Sequence, residues 1–289
     1  MKMKRMSPKQ FIMKNIMYIV LAVMCIILAF SSNKFLTATN LLTIIKQISI
    51  QSIVAIGMTM IIITGNIDLS VGSIVALASV SCAMFMNAKI PAFLAILFTV
   101  VISGVIGLVS GGVTAKLKLH SFLVTLALMQ AIRGLAQTIT GGYPVAGFDK
   151  SFGVISAGTL GGIPLLVIYM AIFYAIFIYI MKFTSFGRAT YAIGGNEESA
   201  RLSGINVEKV KTLVFVISSM LCGVAGVLLT SKVRSGDPTC ANGWEMDTIA
   251  GAIIGGTNMS GGEGTLWGTI IGLLFVRIQI SLFYLGSVP

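Results

Sequence analysis

Apolar segments of roughly bilayer-crossing length recur along this chain, and no other feature constrains its fold as strongly. They lie near 15–31, 47–64, 71–87, 92–110, 121–140, 163–181 and 212–230, with a last one near 264–284 and a shorter apolar piece at 248–256. Roughly 20 apolar residues carry a helix across the hydrocarbon core. In lipid, backbone polar groups must be bonded within their own segment, which makes helices the expected elements. Only 10% of the 289 residues are charged, where a soluble domain has about 25%. The sequence therefore predicts an all-α polytopic membrane protein with about 8–10 transmembrane helices, some discontinuous. It predicts one membrane domain over 1–289, since no polar stretch is long enough to fold around its own core.

The formal net charge of +11 does not point to nucleic acid. The basic residues sit between apolar segments rather than on one domain, where they meet membrane lipid and set orientation. With the N-terminus inside, Lys2, Lys4, Arg5, Lys9, Lys14, Lys116, Lys118, Lys182, Arg188, Arg201, Lys209 and Lys211 fall inside, 12 in all. The outer segments hold 6: Lys34, Lys46, Lys89, Lys150, Lys232 and Arg234. That bias predicts a cytoplasmic N-terminus and puts the polar stretch 182–211 in the cytoplasm. The basic start MKMKRMSPKQFIMKN, followed by Ile16 to Phe30, reads as a retained first helix rather than a cleaved leader.

Two polar, glycine-bearing breaks interrupt the apolar pattern. The first is TGNIDLSVGS, Thr64 to Ser73, where Asp68 is the only acidic residue before Asp149. An acid near membrane depth is expensive, so Asp68, Asn66 and Ser70 either brace a helix junction or line a polar path. Gly65 and Gly72 permit sharp turns beside them. The second is IAGAIIGGTNMSGGEGTLWGT, Ile249 to Thr269. It lacks GxxxxGK[ST] and a lysine, so it is not a phosphate loop; small residues there suit close packing and a helix break, with Glu263 able to cap or brace it. At an offset of 190, Gly65, Asp68, Leu69, Ser70 and Gly72 fall on Gly255, Asn258, Met259, Ser260 and Gly262, a faint internal repeat. Repeated broken helices are one way to build a central transport site.

The stretch 182–211 has its own local logic. Asn196 is placed to cap a helix starting at Glu197, with Glu197 and Glu198 in the favourable first turn. Ala200, Leu202 and Ile205 supply small and apolar contacts, Gly204 ends the turn, and Gly194 and Gly195 let the chain bend before it. A short helix lying across the membrane face results, suited to docking a cytoplasmic partner. Arg133 lies in a membrane helix, where it snorkels, pairs with an acid or faces a solute path. The lone His120 and the tryptophans Trp244 and Trp267 read as interfacial residues. Three of the four cysteines lie in apolar segments without zinc or disulfide spacing. No HExxH, CxxC or GxSxG element is present, so neither a cofactor nor catalysis by this chain is expected.

These residues carry a resemblance. GMTMIIITGNIDLSVGSIVAL (Gly57 to Leu77), KLKLHSFLVTLALMQAIRGLA (Lys116 to Ala136), GRATYAIGGNEESARLSGINVEKVK (Gly187 to Lys211) and AGAIIGGTNMSGGEGTLWGT (Ala250 to Thr269) are similar to the permease subunits of bacterial ABC sugar importers of the ribose, xylose, arabinose and galactose type. The resemblance implies a subunit of the bacterial cytoplasmic membrane that works with a second permease copy or homologue. Cytoplasmic ATP-binding subunits hydrolyse ATP, and an extracytoplasmic sugar-binding protein delivers a monosaccharide, with ribose or another pentose the first candidate. Gly187, Arg188, Tyr191, Gly194, Gly195, Asn196, Glu197, Ala200, Leu202, Ser203 and Gly204 would form the region that couples to the ATPase. Gly65, Asn66, Asp68, Ser70, Gly72, Arg133, Gly255, Asn258 and Ser260 would belong to the transmembrane core or translocation path. Family members continue past the equivalent of Gly286 with a further apolar segment, where this chain reads LFYLGSVP. A secondary transporter driven by an ion gradient is the alternative; it would use Asp68 and the broken helices and leave the cytoplasmic loop idle.

Overall fold

The computed structural model describes residues 37–286 continuously, with side chains to Gln279, and five isolated positions before them. The expected first span, 15–31, falls outside that continuous stretch. The helices, in chain order, are α1 (Ala38–Ile63), α2 (Val71–Asn87), α3 (Ala92–Lys116), α4 (Ser121–Thr140), α5 (Val154–Ala157), α6 (Leu165–Phe183), α7 (Ser185–Gly195), α8 (Glu197–Leu202), α9 (Val207–Val233), α10 (Trp244–Ile254) and α11 (Leu266–Gly286). Among the described residues, five helices are long and apolar enough to cross a membrane: α1, α3, α4, α6 and α9. The shorter apolar helices α2 and α11 complete the described set. The all-α reading holds; among the described residues, the only strands are the two-residue pair Thr159–Leu160 and Ile163–Pro164 in the loop after α4.

Burial sorts the helices into centre and rim. In α3 and α6, 22% of the most apolar stretch is buried, against 67% in α1 and 61% in α9. The rim helices present Phe93, Leu97, Val105, Leu108 and Tyr179 outward, as lipid-facing helices do. The central α1 instead buries Ser49, Ser52 and Thr59, and Thr59 meets the Thr269 hydroxyl of α11 at 2.7 Å. Lipid tails offer no hydrophobic drive between helices, so close packing and such interhelical bonds hold the bundle. Small residues permit that packing. A Cβ on Gly107 of α3 would sit 2.6 Å from the Phe215 carbonyl oxygen of α9.

Two stretches enter the bundle without helical structure. After α1 ends, residues 66–70 run along the start of α4. The Ile67 amide donates to Ser121 Oγ at 3.1 Å, and the Leu69 amide to Thr125 Oγ1 at 3.0 Å. Residues 236–243 likewise run beside α2. A Cβ on Gly236 would meet Ser79 and Ala83, while one on Gly72 would lie 2.5 Å from the Ala241 carbonyl oxygen. Irregular backbone is tolerated at such depth only where protein satisfies it. Here α4 contributes as well: Arg133 Nη1 donates to the carbonyls of Pro238 (3.0 Å) and Cys240 (2.8 Å). The loop after α4 is pinned to this second stretch by the Val145–Gly236 bridge. It is pinned to α9 by Ser156, whose hydroxyl donates to the Leu228 carbonyl at 2.8 Å.

Candidate functional site

The two breaks and the polar stretch 182–211 meet at one place. The Gly262 amide donates to the Ile63 carbonyl at 2.9 Å, and Tyr191 Oη donates to the Gly264 carbonyl at 2.9 Å. Gly194 lies between them, backbone on backbone; a Cβ there would collide with the Ile63 carbonyl oxygen and the Gly262 nitrogen. A Cβ on Gly261 would stand 2.9 Å from the Gly194 oxygen and from the Gly65 nitrogen. Three segments distant in sequence are thus in direct backbone contact through glycines. A push on α7 reaches both breaks without passing through a flexible side chain.

Stretch 182–211 holds two helices, where the sequence pattern indicated one. The missed element, α7, carries the paired glycines in its last turn. Gly194 and Gly195 are therefore helical residues rather than a free bend, and Gly194 is there for close approach. α8 follows as expected: Asn196 Oδ1 accepts the Ser199 amide at 2.8 Å, and Glu197 and Glu198 occupy the first turn. Gly204, at φ +85, turns the chain out, with its amide on the Arg201 carbonyl and that of Ile205 on the Ala200 carbonyl. Ala200 is buried with Ile193 and Val207. Leu202, expected to make an apolar contact, is 81% exposed instead, because it points away from the α7–α9 surface that covers Ala200. Gly187 is buried against the Met181 backbone, whereas Arg188, Gly195, Asn196, Glu197 and Ser203 are exposed. Glu197 pairs with Lys211 of α9 and, at 3.2 Å, with Arg201. The Lys211 hydrogen bond holds its carboxyl below the usual glutamate range.

The breaks do echo each other, with a shift of one residue. Gly65 (φ +73) and Gly256 (φ +87) end α1 and α10 in the same way. The next amides, Asn66 and Thr257, donate to the Ile61 and Ala252 carbonyls. Further on, Asp68 Oδ1 accepts the Ser70 amide at 2.8 Å, and Asn258 Oδ1 accepts the Ser260 amide at 3.0 Å. The helix ends match at an offset of 191 and the side-chain turns at 190. Gly65 therefore pairs with Gly256, not Gly255, since the second break is one residue shorter. Their burial differs. Asp68 and Ser70 are fully buried, with Asp68 Oδ2 unpartnered, while Asn258 and Ser260 are exposed. Asn66 is buried and ties back to Thr64. Gly255 packs on Gly268, and Gly72 on the entry to α10. Arg133 sits apart from these, bracing the second irregular stretch.

A second polar group had no motif to announce it. Glu245, 8% exposed, opens α10; its Oε2 would lie 2.5 Å from a Cβ on Gly72, in the first turn of α2. A carboxylate is favoured at such helix N-termini. One turn into α10, Asp247 Oδ2 accepts from Gln51 Nε2 of α1 at 2.9 Å. One turn earlier in α1, Gln47 Oε1 accepts from Arg277 Nε of α11 at 3.1 Å. In the sequence, Gln47 and Gln51 are simply polar residues at the start of an apolar segment. The acids of WEMDT carried a signal in hindsight, as two carboxylates in an 11-residue, otherwise largely apolar helix. Among the described residues, no three His, Cys, Asp or Glu side chains are grouped to hold a metal ion.

Residues 40–289 match the family model described as the branched-chain amino acid transport system permease component. The chain belongs to this permease family. It is 38% identical over 271 residues to the ribose import permease of Haemophilus influenzae, covering 92% of this chain and 84% of that one. It is 38% identical over 258 residues to the ribose import permease of Bacillus subtilis, covering 89% and 80%. It is 35% identical over 260 residues to the L-arabinose transport system permease of Escherichia coli, covering 90% and 79%. No solved structure matches it. The resemblance read from the sequence motifs is borne out, and the protein is a multi-pass membrane permease subunit.

Proposed function

We propose that this permease is the transmembrane subunit of an ATP-driven importer that passes a monosaccharide, with ribose or another pentose first among the candidates. The observation that carries the reading is the backbone contact of Gly194 with Ile63 and Gly262. It joins an exposed, capped helix pair to both breaks in the membrane helices, as a lever driven from outside the chain requires. The chain acts as one membrane domain in the bacterial inner membrane, with the N-terminus and α7–α8 on the cytoplasmic side. Cytoplasmic ATP-binding subunits supply the hydrolysis, a second permease completes the path, and an extracytoplasmic binding protein delivers the sugar unchanged. The ribose and arabinose names of the relatives support the substrate class.

The polar strip Gln47, Gln51, Asp247 and Arg277 supports a path for a polyhydroxylated solute. Amides and a carboxylate match hydroxyls, and intramembrane polar groups of this kind face a cavity rather than lipid. Uptake of a labelled panel of pentoses and hexoses in cells tests the reading. The expected result is pentose uptake that vanishes when the ATP-binding subunit is depleted and persists with a protonophore while ATP is maintained. Uptake that follows the proton gradient and ignores the ATPase would show an ion-driven transporter instead.

A further inference from the structure

A cavity of about 600 Å³ opens where the end of α6 meets the start of α11, inside the ~300–1,000 Å³ range of small-ligand sites. Its wall is apolar and aromatic, from Ile178, Met181, Tyr191 and Trp267, and its rim carries Lys182 and Arg188. The two ends have different chemistry. Lys182 lies in the last turn of α6 and Arg188 in the first half of α7, both exposed. Neither makes an ion pair among the described residues, where Glu197 serves Arg201 and Lys211. Lys182 Nζ stands 5.3 Å from the Phe183 ring centroid, and Arg188 reaches the Phe183 carbonyl only at 3.5 Å. Among the described residues, no carboxylate offsets either charge. The Tyr191 hydroxyl is already committed to Gly264, which leaves its ring as wall, and Trp267 is 63% exposed.

We infer that this cavity is a binding site for an anionic phospholipid, its phosphate on Lys182 and Arg188 and its acyl chains along Ile178 and Trp267. Basic pockets between membrane helices on the cytoplasmic side suit anionic headgroups, and tryptophan favours the interface between headgroup and chain. Both cations lie on the face that the basic-residue bias places in the cytoplasm. The N-terminal segment is a poorer occupant, because Lys2, Lys4, Arg5, Lys9 and Lys14 give it the same sign of charge. A bound lipid would tether the root of α7, the helix whose far end carries Gly194, to the membrane surface.

The chain has two tryptophans, so a Trp244→Phe variant leaves Trp267 as the sole reporter. The full chain is placed in vesicles of unlabelled phosphatidylcholine into which brominated phosphatidylglycerol or brominated phosphatidylcholine is titrated. The site predicts that brominated phosphatidylglycerol quenches Trp267 at a mole fraction on the order of tenfold lower than brominated phosphatidylcholine. The preference falls with added salt, is lost in a Lys182→Gln/Arg188→Gln variant of unchanged helix content, and is kept in Lys182→Arg. Equal quenching by the two lipids would overturn the proposal, since Trp267 would then see only ordinary boundary lipid. Quenching by neither would overturn it too, and would mean that protein, the N-terminal segment or a second copy, fills the cavity.

Discussion

At Gly194 there is no room for a side chain. The Ile63 carbonyl and the Gly262 amide already bond to each other across the space a Cβ would fill. Gly194→Ala should therefore push the three segments apart, costing about 3 kcal/mol, the upper range for overpacking, and lowering the thermal midpoint of the purified chain. Its neighbour is the control. Nothing lies within 4 Å of a Cβ on Gly195, so Gly195→Ala should leave the midpoint unchanged, and any loss of transport would then report an external partner. Gln51 is tested differently. Gln51→Leu removes the donor to Asp247 while keeping comparable bulk. If that pair contacts solute, the half-saturation concentration for uptake rises while folding changes little. An unchanged half-saturation concentration would move the path elsewhere.

α8 has six residues, too short to persist on its own, so its cap and its ion pairs matter more than its length. Asn196→Ala removes the acceptor for the Ser199 amide and should cost about 1 kcal/mol, read as faster amide exchange over 197–202 with no change in α9. The ion pairs add a pH dependence. The folded Glu197 carboxyl titrates below its ordinary value of 4.5, so the pairing with Lys211 and Arg201 is fully present above that value. It is lost as pH falls through the lower folded value, and exchange over α8 should rise in that window and not at neutral pH. α8 was legible because Asn196, the two glutamates and Gly204 are local signals at fixed offsets. α7 was not, since SFGRATYAIGG has two glycines at its end and reads as a loop until tertiary contact is known. The ends of α2 and α4 were also legible, because apolar runs stop at polar residues. The role of Glu245 was not, because it depends on Gly72, far away in the chain.

Across the whole molecule, apolar runs mark where helices lie but not which of them face one another. The strongly apolar α9 is 61% buried at the centre, whereas α4, the least apolar of the five long helices, is only 17% buried. The one-residue shift between the two breaks was likewise hidden, because a gap inside a short repeat looks like weaker similarity. What the assembled structure adds is a connection: glycine backbone contacts join α7, which leads into the exposed α8, to the breaks after α1 and α10. The central claim is that an ATP-binding subunit drives that connection from the α7–α8 face. Cross-linking in native membranes tests it most directly, with one variant carrying Gly195→Cys and another carrying Tyr143→Cys in the loop after α4, both in a background without exposed native cysteines. The account predicts a cross-link from position 195 to the ATP-binding subunit, weakened when nucleotide changes the subunit's state, and none from position 143. A cross-link from 143, or none from 195 while uptake continues, would contradict it.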